Sequence, residues 1–178
     1  NGALHDAAIA AWDAKAKYDF ARPVSMIRYL CSNGQSSDPS QPAFHADGMP
    51  LEPGLVEIIT PALTTTGQKF ANLAGHENEI AVFAWRGEPE DPANGVGGVG
   101  WIRGVDWLPY QRANFVTPPF AAYVSGHSTF SRAAAEVLTL FTGDAKFPGG
   151  RGKFIAPQND FLVFEEGPTT DVLLQWRT

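Results

Sequence analysis

Three stretches of the sequence hold residues whose types and spacing could do chemistry. The first is Tyr123-Val124-Ser125-Gly126-His127-Ser128-Thr129, placed directly before an Ala-rich helical run. A helix N-terminus presents unpaired backbone N–H groups and a partial positive charge, so it favours anions. Gly126 would let backbone approach a ligand closely, Ser125 adds a hydroxyl, and His127 adds an acid/base group. Such a set suits an oxyanion site, although Ser125 and Ser128 could equally serve as helix caps beside a surface His127. The second stretch carries Lys15 and Arg22, seven residues apart, which on one helix would differ by about 20° around the axis. Trp12 shares their stripe and the neighbours are Ala-rich, which predicts burial, and buried cations need anionic partners. The alternative is a solvated pair of cations. The third stretch, Gly95-Val96-Gly97-Gly98-Val99-Gly100, matches the dinucleotide-binding spacing G-x-G-x-x-G. That spacing has meaning only between a strand and a helix. Here Glu88-Pro89-Glu90-Asp91-Pro92 precedes it, so a flexible glycine loop is expected.

Taken together, Lys15-x6-Arg22-Pro23 and Ser125-Gly126-His127 resemble the signature of the vanadium-dependent haloperoxidases and type 2 phosphatidic acid phosphatases. The family pattern runs Lys-x6-Arg-Pro, then Pro-Ser-Gly-His, then Ser-Arg-x5-His. The text around the motifs is similar to the haloperoxidase branch: Ala11-Trp12-Asp13-Ala14-Lys15, and Pro118-Pro119-Phe120 through Ser131. The likeness extends to Trp101-Ile102, Arg112 and Phe147-Pro148-Gly149-Gly150. It implies a mostly α fold, a helical bundle of the vanadium haloperoxidase/acid phosphatase type with long Gly/Pro-rich loops.

The resemblance also implies roles. Lys15, Arg22, Ser125 and the Gly126 amide would hydrogen-bond vanadate oxygens, and His127 would be the catalytic acid/base. Trp12 would line the pocket, and Phe120 stands where chloroperoxidase-like members carry Phe, giving a lean toward that group. Halide and hydrogen peroxide would be the substrates. Phosphate could occupy the same site, which would make an acid phosphatase acting on phosphate monoesters; a non-catalytic module of the same fold is a further alternative. Two departures stand out. Val124 replaces the family's Pro, and no Ser-Arg-x5-His occurs, since Ser131-Arg132 is followed by Ala133 to Leu138 without a His. The vanadium-coordinating His is therefore expected beyond Thr178, with no metal ligand in these residues. On this reading residues 1–178 form one partial domain, the C-terminal portion of a haloperoxidase-like helical domain truncated at both ends. It would be inactive alone and completed by the remainder of its polypeptide or by an oligomer partner. Export, to the periplasm or outside the cell, is implied by the resemblance alone.

The elements that must position these residues read as follows. Residues 3–30 suggest helix, interrupted at Arg22 because Pro23 disfavours the α conformation there. Pro23 suits the first turn of a second helix through Ile27 and Leu30. Residues 31–54 suggest a surface loop. Residues 55–85 carry Leu55, Ile58, Ile59, Leu63, Phe70, Leu73 and Ile80 at helix-like spacing, broken by Pro61. Residues 86–119 read as loop. Residues 128–142 are the clearest helix, capped by Ser128 or Thr129 and ended by Gly143. Residues 144–168 suggest a connection with a short strand at Phe161–Phe164, and the last ten residues suggest the start of another helix.

Composition sets the outer limits. The 178 residues are 44% hydrophobic and 18% charged, which excludes a disordered chain. With 18 Gly and 14 Pro the fold should be loop-rich. A net charge of −6 argues against binding nucleic acid or an anionic membrane, and no apolar run has the length of a membrane helix. The single cysteine, Cys31, cannot form an intrachain disulfide and reads as a buried thiol. His5, His45 and His76 read as surface or loop residues.

Overall fold

The computed structural model describes residues 1–91, 93–112, 114–161 and 167–176. They form two compact units, the first built from residues 1–20 with 118–178 and the second from residues 21–117.

In the first unit, helix α1 (Gly2–Tyr18) packs against helix α3 (Gly126–Thr142). Seven alanines make α1 a strong helix former, and its buried stripe is Ala7, Ala11 and Lys15, spaced four residues apart. Small side chains on that stripe allow a close approach. The helix stops at Asp19, which takes the left-handed conformation (φ 40°) and donates its N–H to the Lys15 carbonyl at 2.9 Å. Helix α3 ends at Gly143 in the same conformation (φ 75°), as expected. Its start is two residues earlier than expected, because Ser125, and not Ser128 or Thr129, is the cap. Strands β4 (Gly152–Ala156) and β5 (Val172–Trp176) pair antiparallel, Gly152 opposite Trp176. A Cβ on Gly152 would stand 2.6 Å from the Trp176 ring, so only glycine admits the indole. The last ten residues thus contribute a strand where a helix was expected. Val172, Leu173, Leu174 and Trp176 suit a pleated, half-exposed surface once β4 lies alongside. The strand expected at 161–164 lies, apart from Phe161, outside the described residues.

In the second unit, helix α2 (Pro23–Asn33) carries Pro23 in its first turn, as expected, and packs against a 3-10 turn at Gly104–Asp106. Strands β1 (Val56–Ile58), β2 (Ile80–Trp85) and β3 (Val99–Arg103) form an antiparallel sheet with β2 in the centre. Side chains of β2 alternate between two cores. Ile80 and Val82 join Cys31 and Ile58 on one face. Ala81 joins Ile59, Phe70 and Leu73 on the other. Residues 55–85 are therefore not helical. Pro61, Gly67 and Gly75 interrupt them, two 3-10 turns (Pro61–Leu63, Ala71–Leu73) bridge the middle, and the β-branched ends pair across the chain.

The loop after α2 is wound around Gln35, which is fully buried. Its Nε2 donates to the Asp38 and Pro42 carbonyls (2.7 and 3.3 Å), and its Oε1 accepts from the N–H groups of Ser37 and Asp38, both at 2.9 Å. Every polar atom of this buried amide is thereby matched.

The expectation of a mostly helical bundle is overturned. Among the described residues the α-helices span 17, 11 and 17 residues, and the rest is antiparallel strand, 3-10 turn and loop. The glycines and prolines that signalled long loops delimit short strands instead. No helix among these residues is long and apolar enough to cross a membrane.

Candidate functional site

Lys15 sits 5% exposed at the end of the alanine stripe of α1. Its Nζ donates to the carbonyls of Ala121 at 2.7 Å and Ala122 at 3.3 Å. The same ammonium lies 5.2 Å from the centre of the Phe120 ring, a distance at which the ring's negative face attracts a cation. Trp12, one turn earlier on α1, meets the other side of this cluster, its ring 4.9 Å from Phe120 in an edge-to-face arrangement. The expected burial of Lys15 is found. Two further contacts tie down the segment: Tyr18 stacks edge-on against Tyr123 at 5.5 Å, and the Ala122 N–H donates to the Phe20 carbonyl at 2.9 Å. These partners were not legible in the sequence, since Lys15 and Ala121 stand 106 residues apart.

The segment so anchored leads into the N-terminus of α3. Ser125 has extended backbone (φ −71°, ψ 116°) and its Oγ accepts the Ser128 N–H at 3.3 Å. Accepting leaves the hydroxyl proton of Ser125 available to donate. Gly126 and His127 occupy the first two helical positions, where backbone N–H groups have no partner within a helix. The fold makes no steric demand for glycine at 126. A Cβ there would meet only the Phe130 ring, at an ordinary 3.6 Å. Ser125 and His127 are both exposed.

Arg22 is placed differently from expectation. Helix α1 ends at Tyr18, so Lys15 and Arg22 do not share a helical stripe. Arg22 belongs to the second unit, where it is the extended N-cap of α2 (φ −69°, ψ 146°), the conformation that Pro23 imposes on its predecessor. Arg132, from the Ser-Arg pair that lacks a following histidine, is exposed on α3 and pairs with Glu136 one turn on. His5 and His45 are exposed, and His76 is half-buried with its Nδ1 3.0 Å from Glu79. Among the described residues no group of three or more His, Cys, Asp or Glu could hold a metal ion.

The glycine stretch 95–100 is no dinucleotide loop. Val99 and Gly100 open strand β3, which pairs antiparallel with β2 and is followed by the single 3-10 turn at Gly104–Asp106, where a dinucleotide loop would open an α-helix.

The first unit thus carries a buried ammonium on α1, tied to the 121–122 carbonyls, and a hydroxyl with the first amides of a helix at the start of α3. A family model described as the VCPO second helical-bundle domain matches residues 1–48 and 71–178. The chain belongs to this vanadium haloperoxidase family. The stretch outside the match, 49–70, includes β1 and the turn at Pro61–Leu63. Comparison with curated proteins and with solved structures returned no match.

Proposed function

We propose that this chain binds vanadate at the N-terminus of α3 and serves peroxide-dependent halide oxidation. The observation that carries the reading is the Ser125 cap: its Oγ accepts the Ser128 N–H at 3.3 Å at the start of α3, and we assign its hydroxyl proton and the Gly126 and His127 amides as the donors to the anion. Membership of the family supports the choice of anion. Vanadate, when bound, supplies the centre at which peroxide is activated toward halide.

The chain's own residues do the rest. Lys15 fixes the 120–122 segment through two carbonyls and adds a positive charge to the approach. Ser125 and the two amides bind and orient oxygens, a preorganised set that need not rearrange as charge develops. His127 donates or accepts a proton at an oxygen held there. Trp12 and Phe120 restrict water on one side of Lys15.

Titration of the 178-residue chain with orthovanadate, followed by vanadium NMR, tests the reading. Saturable binding that inorganic phosphate displaces is expected, and loss of at least tenfold in affinity for Ser125→Ala, the scale of one charge-assisted hydrogen bond (about 1.5–3 kcal/mol). No binding, or binding indifferent to Ser125→Ala, would sink it. Because no Ser-Arg-x5-His lies within these residues, halide oxidation by this chain alone should stay at background; substantial turnover would refute that part. Phosphate release from monoesters without vanadate would favour the acid phosphatase reading.

A further inference from the structure

The sheet of the second unit has two edges, β1 and β3, and the chain covers them unequally. In an antiparallel sheet successive residues of a strand bond to opposite neighbours. Here β1 and β2 meet through odd-numbered residues: the Phe83 N–H donates to the Leu55 carbonyl at 2.8 Å, and the Ile59 N–H donates to the Glu79 carbonyl at 2.9 Å. The even-numbered residues of β1 therefore turn their main-chain groups away from β2. On the opposite edge Trp101 of β3 is turned outward in the same way, and its carbonyl accepts the Asn72 side-chain amide at 2.9 Å. On β1 the outward Val56 exchanges two hydrogen bonds with Glu52, at 2.7 and 2.9 Å. Ile58 comes next along that edge, and among the described residues no hydrogen bond reaches its outward N–H or carbonyl.

A groove of about 340 Å³ runs beside this open position. Leu51 and Val56 line it from the apolar cluster on one face of the sheet, and Leu63 from the cluster on the other. Only a groove at the edge strand can draw on both faces. Glu57 is the one charged residue among those described in its lining, and both carboxylate oxygens are engaged: Oε1 accepts the Gly54 N–H at 2.8 Å, and Oε2 pairs with Lys69. The edge thus presents a main-chain donor and acceptor between apolar walls, with its one charge already balanced. A neighbouring strand supplies the complementary pair of groups, which an apolar molecule lacks. These lining residues fall within 49–70, outside the residues that the family model matches.

We infer that the β1 edge binds an extended, uncharged peptide segment of a partner protein by strand addition. One residue of the segment exchanges hydrogen bonds with the N–H and carbonyl of Ile58. Its side chain then falls on the same face as that of Ile58, against Leu51 and Val56, so this residue and its alternate neighbour are apolar. Every residue involved belongs to the second unit, so the inference stands apart from the vanadate reading.

A fluorescein-labelled, end-capped Thr-Ile-Thr-Ile-Thr peptide, titrated with the full chain and followed by fluorescence anisotropy, tests it. Saturable binding below about 1 mM is expected. N-methylation of the two isoleucine amides keeps the side chains and removes the donors, and should weaken binding roughly tenfold. Hydrogen exchange of the Ile58 amide, read by NMR, should slow at least about tenfold when the unmodified peptide is bound. Sedimentation equilibrium without peptide examines the rival occupant. A dimer in which the Ile58 amide is already protected would give the edge to a second copy of the chain and overturn the assignment. So would absence of saturable binding, equal binding of the N-methylated peptide, or unchanged exchange at Ile58.

Discussion

Placing an ammonium group inside a protein costs several kcal/mol unless its hydrogens find acceptors, and Lys15 finds the carbonyls of Ala121 and Ala122. Lys15→Met keeps the stem and removes those donors. It should lower unfolding free energy by about 1–3 kcal/mol, the cost of stranding buried acceptors, and weaken vanadate binding in the same variant; urea denaturation and vanadium NMR would read the two effects separately. Cys31 makes a different case. Burial disfavours its thiolate and pushes the thiol up to about 11 from its usual value near 9. The folded chain thus holds its proton where the unfolded chain releases it. The stabilisation is complete below pH 9 and is lost as pH rises toward 11. Wild-type stability, followed by denaturant titration, should fall more steeply across that window than that of Cys31→Ala, and the thiol should resist alkylation at pH 8 until the chain unfolds.

At the level of elements, what the sequence made legible was local. The alanines of α1, Pro23 opening α2, and Gly143 closing α3 act within a turn or two of themselves, and each stands where expected. The burial of Lys15 could be read from its stripe for the same reason. The strands escaped because they are three to six residues long and their stability lies in partners far along the chain. Ile58, Phe70 and Ile80 are spaced as a helix would space them, yet they serve two faces of one sheet. Arg22 was misplaced because nothing before Pro23 announced that Asp19 would turn the chain first. Phe70 offers the clearest check on the sheet, being wholly buried with its ring 5.1 Å edge-on to Trp101. Phe70→Ala should cost about 3–5 kcal/mol, measured by chemical denaturation.

For the whole molecule, the two units differ in how the chain supplies them. Both apolar clusters of the second unit draw only on residues between Ile27 and Trp107, so residues 21–117 expressed alone should keep their antiparallel sheet and unfold cooperatively; a featureless circular dichroism spectrum would contradict this. The first unit has no such independence, because its helix α1 is buried chiefly through alanines and Lys15 and meets α3 only across the intervening unit of sequence. That arrangement fixes an order of events on the ribosome. The continuous unit can form as soon as it emerges, whereas α1, a 17-residue helix near the length at which isolated helices are marginal in water, must wait for its partner. With Ala121 trailing Lys15 by 106 residues and synthesis running at roughly 5–20 residues per second, the wait lasts on the order of 5–20 s. Throughout that interval the nascent α1, with its Ala7, Ala11 and Lys15 stripe uncovered, is a segment for chaperones to hold, and the oxyanion site we propose cannot form until the second half of the chain has been made.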